Sequence, residues 1–282
     1  MLPVLLDLKF VKIYTFGVFL VLAFFWGAFF LWRNIRLTSF KEEEIFDGLF
    51  LTLFGSLFFS RLVYVFLNIQ KFGFNILKFL LINGYPGLSL YGALIGGGVT
   101  LYLYCRLKHI DFKEVVDYFV LPVFIALTFG KLGAFFAGSD IGTKTTFPLA
   151  VKYVGYDGFR HITPIYEALF FFIGSILSYK LLFAVRKEVL RRGFVLYFFC
   201  WYFALIYFVF DKIKENRLYL LGQSLNVSIS GLVLVIMTLY FIYYFRNSVL
   251  AYVKTHSKKI TQGISGKIAR RRGESEKTDR GA

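Results

Sequence analysis

Four ionisable residues, Arg61, Lys131, Glu167 and Asp211, lie within or at the ends of long apolar runs. A charge held in hydrocarbon costs several kcal/mol, so each marks a candidate functional position. Their types suggest one chemistry. Cations just below a water surface attract a lipid phosphate, and a carboxylate among them can orient a cation or accept a proton. Their depths agree as well: Arg61 lies 13 residues past Gly48 and Lys131 lies 13 past Tyr118, in each case about 20 Å along a helix. Glu167 opens its apolar run and Asp211 closes one, while Tyr14 and Tyr91 fall near the same level. For the two tyrosines, membership of an interfacial aromatic belt is the competing explanation.

The elements that must carry these residues follow from composition. Of 282 residues, 57% are hydrophobic, 21% aromatic and 18% charged, with a mean hydropathy of +0.64. Soluble domains are nearer 45–50% apolar, so a hydrocarbon solvent is implied. Disorder, a collagen-like fibre and a disulfide scaffold are excluded by the abundance of Phe and the scarcity of Pro and Cys. The net charge of +16 lies between apolar runs and not on one face, which argues against a nucleic-acid partner. Seven runs have the length of a membrane span: 13–32, 48–69, 84–105, 118–137, 165–185, 193–210 and 222–245. The expected fold is therefore all-α, a polytopic membrane protein of seven transmembrane helices.

Lys and Arg number 21 on the side of the odd connections and the tail against 10 on the other, with Arg61 and Lys131 inside spans. This places the N-terminus outside and the C-terminus in the cytoplasm, with no cleavable signal peptide. The expected organisation is a transmembrane domain over residues 1–245, an extracytoplasmic cap at 138–164 containing Phe147, Tyr153, Tyr156 and Phe159, and a basic, disordered cytoplasmic tail at 246–282 resting on anionic lipid. Cys105 and Cys200 have neither paired spacing nor a nearby His and read as core residues. Neither a metal cluster nor a nucleotide motif is present in the sequence, so no cofactor is inferred. Gly92 and Gly96 fit close helix packing and substrate access equally well.

The order of the motifs resembles the prolipoprotein diacylglyceryl transferase family over residues 10–245. Tyr14-Thr15-Phe16-Gly17 stands for the family's first-helix Tyr-Gly motif, Ser60-Arg61-Leu62-Val63-Tyr64 for its Ala-Arg-Leu-Gly-Tyr segment, and Tyr91-Gly92-Ala93-Leu94 for its His-Gly-Gly-Leu helix. Gly130-Lys131 through Gly142 keeps the spacing of the signature Gly-Arg-x-Gly-Asn-x-x-Asn-Gly-Glu-x-x-Gly. Arg160-His161 with Tyr166-Glu167 matches a further segment, and Gly222-Gln223-Ser224 the start of the last helix. The departures are Tyr91 for the family's His, Lys131 for its signature Arg, Ala134 and Ala137 for its Asn residues, and Ser139 for its Glu. In the sixth span, Tyr207, Asp211 and Lys214 stand where the pattern has Arg, Glu and Arg.

The resemblance implies transfer of a diacylglyceryl group from phosphatidylglycerol to the lipobox cysteine thiol of a prolipoprotein in a bacterial inner membrane, at the outer leaflet. It implies that phosphatidylglycerol, prolipoprotein signal peptides and membrane lipids are the partners. Lys131 and Arg61 are then expected to position the phosphate, Tyr14 to bond the glycerol head, Asp211 to orient a cation, and His161 or Glu167 to handle the thiol proton. Tyr91, Gly92, Gly142, Tyr207 and Lys214 complete the expected substrate site. Glu167 also reads as a structural partner of Tyr166 or Arg160. The substitutions leave a second reading open, a lipid-binding relative without catalysis, and the intramembrane charges alone leave a third, a transporter or channel.

Overall fold

The structure, a computed structural model, describes residues 4–7, 12–73, 76–81, 85, 87–215, 219–220 and 223–247. Nearly all of the expected tail lies outside the described residues. The helices are α1 (Thr15–Ile35), α2 (Glu42–Leu67), the short α3 (Ile69–Phe72) and α4 (Ile76–Leu80), α5 (Leu90–Leu107), α6 (Phe112–Ala137), α7 (Thr163–Arg186) and α8 (Phe194–Phe210). A final helix, α9, covers Leu225–Asn247 and so carries Arg246, which the sequence assigned to the tail. Three two-stranded antiparallel hairpins join them: β1 (Val4–Asp7) with β2 (Lys12–Tyr14), β3 (Ala150–Lys152) with β4 (Phe159–His161), and β5 (Tyr219–Leu220) with β6 (Gln223–Ser224).

Among the described residues, six helices are long and apolar enough to cross a membrane: α1, α2, α6, α7, α8 with its continuation to Ile213, and α9. The seventh expected span, 84–105, corresponds to α5. It begins only at Leu90, because Ser89 caps it by accepting from the Gly92 N–H. Its 18 residues include four glycines and three tyrosines, which lower its hydropathy. Other ends also follow local signals. Asp111 caps α6 through the Lys113 N–H, and Gly138 ends that helix in the left-handed conformation at φ +70°.

Helix α6 is the axis, packed on α1, α7 and α8, while α2 packs on α5. Phe124 and Phe171 are wholly buried, and Cys105 joins the same core. Asp117, buried in α6, accepts from the Gly193 and Leu196 N–H groups at 2.7 and 3.1 Å and so tethers the start of α8. Large apolar side chains elsewhere face outward, among them Leu232, Val235, Ile236 and Leu239 of α9, a surface suited to lipid. Helix α9 joins α8 through the Tyr197 and Tyr240 rings, 4.6 Å apart, and a Trp201 Nε1 to Thr238 Oγ1 bond of 3.0 Å.

The two explanations for Gly92 and Gly96 separate here. A Cβ on Gly92 would stand 2.7 Å from the Phe59 carbonyl oxygen, and one on Gly96 would overlap the Phe59 side chain. Both glycines admit α2 to α5. A Cβ on Gly98 meets nothing within 4 Å. Gly96→Ala is therefore expected to destabilise the protein by about 1–3 kcal/mol. Gly98→Ala should be neutral or stabilising by up to about 1 kcal/mol, and thermal melts of the two variants in one detergent check the contrast.

Candidate functional site

Where α6 and α8 end and α7 begins, four charges meet. Glu167, wholly buried in the second turn of α7, has Oε2 2.8 Å from the Lys131 Nζ of α6 and Oε1 2.6 Å from the Lys214 Nζ just past α8. Lys131 also reaches Asp140 Oδ2 at 2.7 Å. Under the two ammonium groups lies the buried ring of Tyr207, its centroid 4.6 Å from Lys214 Nζ and 5.7 Å from Lys131 Nζ. Its π-face favours cations. Tyr91, at the start of α5, packs against it at 6.1 Å.

The main chain fixes this geometry. Asp211–Ile213 form a 3-10 turn, after which Gly142 and Lys214 bridge as paired backbone. Thr143 N–H donates to Ile213 O and Glu215 N–H to Ile141 O, both at 2.9 Å. A Cβ on Gly142 would stand 2.7 Å from that of His161, so glycine permits the close pass. Arg160 donates to Gly142 O and to Glu215 Oε2, each at 3.1 Å.

Burial pushes the Asp140 carboxyl up, but the nearby Lys131 and Lys214 charges outweigh it and hold it below the usual carboxylate range. Lys214 is lowered, first by burial and then by the Lys131 charge. Tyr153 is buried beside this cluster and its phenol is pushed up to about 12, first by burial and then by the Asp140 charge, so it stays neutral.

Residues 3–244 match the family pattern described as prolipoprotein diacylglyceryl transferase. The chain belongs to this family. Among its relatives, the phosphatidylglycerol–prolipoprotein diacylglyceryl transferase of Clostridium tetani is 32% identical over 205 residues, covering 70% of this chain and 80% of that protein. The protein of the same name from Clostridioides difficile is 25% identical over 226 residues, covering 79% and 88%. The one from Aliarcobacter butzleri is 33% identical over 149 residues, covering 52% and 53%.

As a prolipoprotein diacylglyceryl transferase family member, the chain gathers five of the residues singled out in its sequence: Lys131, Glu167, Lys214, Tyr207 and Tyr91. Glu167 serves the lysines and not Tyr166, whose hydroxyl donates to Leu149 O at 2.9 Å, nor Arg160. Arg61 shares the depth but not the cluster. Its Nε, Nη1 and Nη2 donate to the carbonyls of Phe79, Gly87 and Lys78 at 2.9, 2.9 and 2.8 Å. Together with Ser60 Oγ, which donates to Ser89 O at 2.9 Å, it fixes the entry to α5 and thereby Tyr91. Asp211, expected to orient a cation, accepts from Ser224 Oγ, and from Asn226 Nδ2 at 2.8 Å, and so anchors the start of α9.

Three other expected site residues are placed apart. Tyr14 is 58% exposed at the N-cap of α1. Gly92 is packing. The His161 ring borders an apolar groove of about 300 Å³ with Phe147, Tyr166, Phe170 and Phe210. Within residues 138–164, Tyr153 turns inward while Phe147, Tyr156 and Phe159 stay exposed.

Asp140, Arg160 and Glu215 were not singled out as site residues from the sequence. For Asp140 a signal existed: a carboxylate directly after Ser139, the position that the motif resemblance sets against a Glu.

Glu167→Gln leaves two buried ammonium groups without their shared anion, and a loss of about 3–5 kcal/mol is expected, measured by thermal unfolding. Asp140 has a lowered folded pKa, so its share of stability is complete above its ordinary 3.8 and disappears as the pH falls through the folded value. Melting curves between pH 7 and 2 should show this acid loss in the unaltered protein and a smaller one in Asp140→Asn.

Proposed function

We propose that this chain transfers a diacylglyceryl group from phosphatidylglycerol to the lipobox cysteine of a prolipoprotein, at the outer leaflet of a bacterial inner membrane. The observation that carries the reading is the pair of lysines, 131 and 214, on one buried carboxylate over one aromatic ring. Two adjacent ammonium groups suit a phosphate whose negative charge grows as the bond breaks. The orientation with the N-terminus outside and the C-terminus inside, and α5 as the seventh span, belong to this proposal.

The acceptor thiol is deprotonated to the thiolate, the nucleophilic form. The thiolate attacks the glyceryl carbon bonded to the phosphate oxygen. The C–S bond forms as the C–O bond breaks, and glycerol phosphate departs with the electron pair, held by Lys131 and Lys214. Glu167 is engaged by both lysines at once, which leaves His161, at the edge of the outer groove, as the residue that takes the thiol proton. Arg61 acts through the loop carbonyls and Tyr91 as a positioning residue, and Asp211 through α9.

A single observation favours the non-catalytic lipid-binding reading: Lys131 is already held between two carboxylates. The discriminating assay supplies phosphatidylglycerol and a lipobox peptide to the protein in membranes and detects the thioether product by mass spectrometry. Lys131→Ala should lower turnover by about 100-fold or more while leaving most of the folded yield, as removal of a charged transition-state contact does. Equal loss of both, or no product from folded unaltered protein, overturns the catalytic assignment.

A further inference from the structure

The two carboxylates on Lys131 differ in kind. Glu167 is wholly buried and bonded to both lysines, whereas the Asp140 side chain is 38% exposed and its one ion-pair partner among the described residues is Lys131. Asp140 also stands on a turn, two residues past the left-handed Gly138 that closes α6. With Ser139 and Ile141 tied through their backbones on either side, a rotation of the Asp140 side chain alone would take its carboxylate to water without unpacking a helix. The same motion is closed to Glu167, which lies inside α7.

Charge gives the second argument. Lys131 and Lys214 face Glu167 and Asp140, so the four sum to zero. A phosphodiester carries one negative charge, and replacing Asp140 by it conserves that balance. A phosphate monoester carries about −1.5 to −2 at neutral pH, so the leaving product overfills the same seat.

We propose that Asp140 is a displaceable internal anion: it holds the phosphate seat on Lys131 when the site is empty, yields it to the lipid phosphodiester, and returns as the phosphate monoester leaves. The inference rests on the reading that the lysines hold a lipid phosphate. It adds that the seat is kept by the chain's own carboxylate and that this carboxylate speeds product release. Asp140 is thus a positioning residue, and the exchange needs neither a new bond nor a redox partner.

The test compares the full-length unaltered protein with Asp140→Asn, Asp140→Ser and Asp140→Glu in nanodiscs of phosphatidylcholine carrying increasing fractions of phosphatidylglycerol. Without acceptor peptide, retention of phosphatidylglycerol on the purified protein is measured; with peptide, KM and kcat are measured with and without added glycerol phosphate. Asp140→Asn and Asp140→Ser are expected to bind phosphatidylglycerol tighter and lower its KM by about threefold or more. They should lower kcat by about tenfold through slow release, and raise sensitivity to glycerol phosphate, a split a merely structural role does not produce. Asp140→Glu should restore all three toward the unaltered values.

Unchanged or weaker phosphatidylglycerol binding in the neutral variants overturns the proposal. So does failure of both neutral variants to fold, since the pair is then a fixed structural tie. The binding arm separates this outcome from the transfer reading. If the unaltered protein binds phosphatidylglycerol but forms no product, transfer fails, and tighter binding in the neutral variants still supports the displacement.

Discussion

One buried carboxylate holds the functional end of this molecule together. Glu167 draws an ammonium group from α6 and another from the chain past α8 onto a single helical turn of α7. Neither lysine would be stable there alone, because a charge removed from water needs a partner and hydrogen bonds to offset its desolvation. The Tyr207 ring beneath them completes the arrangement. Its aromatic face attracts both cations and keeps the two ammonium groups close together.

The other intramembrane charges serve this centre from a distance. Arg61 clamps three carbonyls before α5 and so holds Tyr91 against Tyr207. Asp211 fixes the start of α9, and Asp117 fixes the start of α8 from which Tyr207 projects. Arg61, Asp211 and Asp117 each end on main-chain groups or short polar side chains, as low-dielectric surroundings require.

Six of the seven expected spans were legible because hydrocarbon demands long apolar runs, and among their limits and that of α5 some moved to side-chain caps such as Asp111 and Ser89. Shared depth was legible too, since it is arithmetic on helical rise. The direction a side chain faces around its helix was not. Arg61 and Lys131 have the same depth and motif standing, yet only contacts distant in sequence separate them: Arg61 turns to carbonyls at 78, 79 and 87, Lys131 to carboxylates at 140 and 167. Asp140 was obscured by a register offset of one residue, which motif comparison counts as a loss and geometry does not. The partners of Asp211, Ser224 and Asn226, were not legible because they are uncharged and lie across the start of the following helix.

The backbone ties between the chain after α6 and the segment after α8 have a mechanical meaning. Residues 141–143 run against 213–215, Thr145 and Thr143 run in turn against Phe159 and His161, and β4 pairs on its other side with β3, so four passes of chain form one narrow ribbon beside the charged cluster. Lys214 belongs to one edge, and the exposed tip from Val154 to Gly158, past the buried Tyr153, joins the two strands at the other. Lengthening or shortening that tip would leave the lysine where it is, whereas cutting the ribbon's base would set it adrift, so the tip is the place where this scaffold has room to vary.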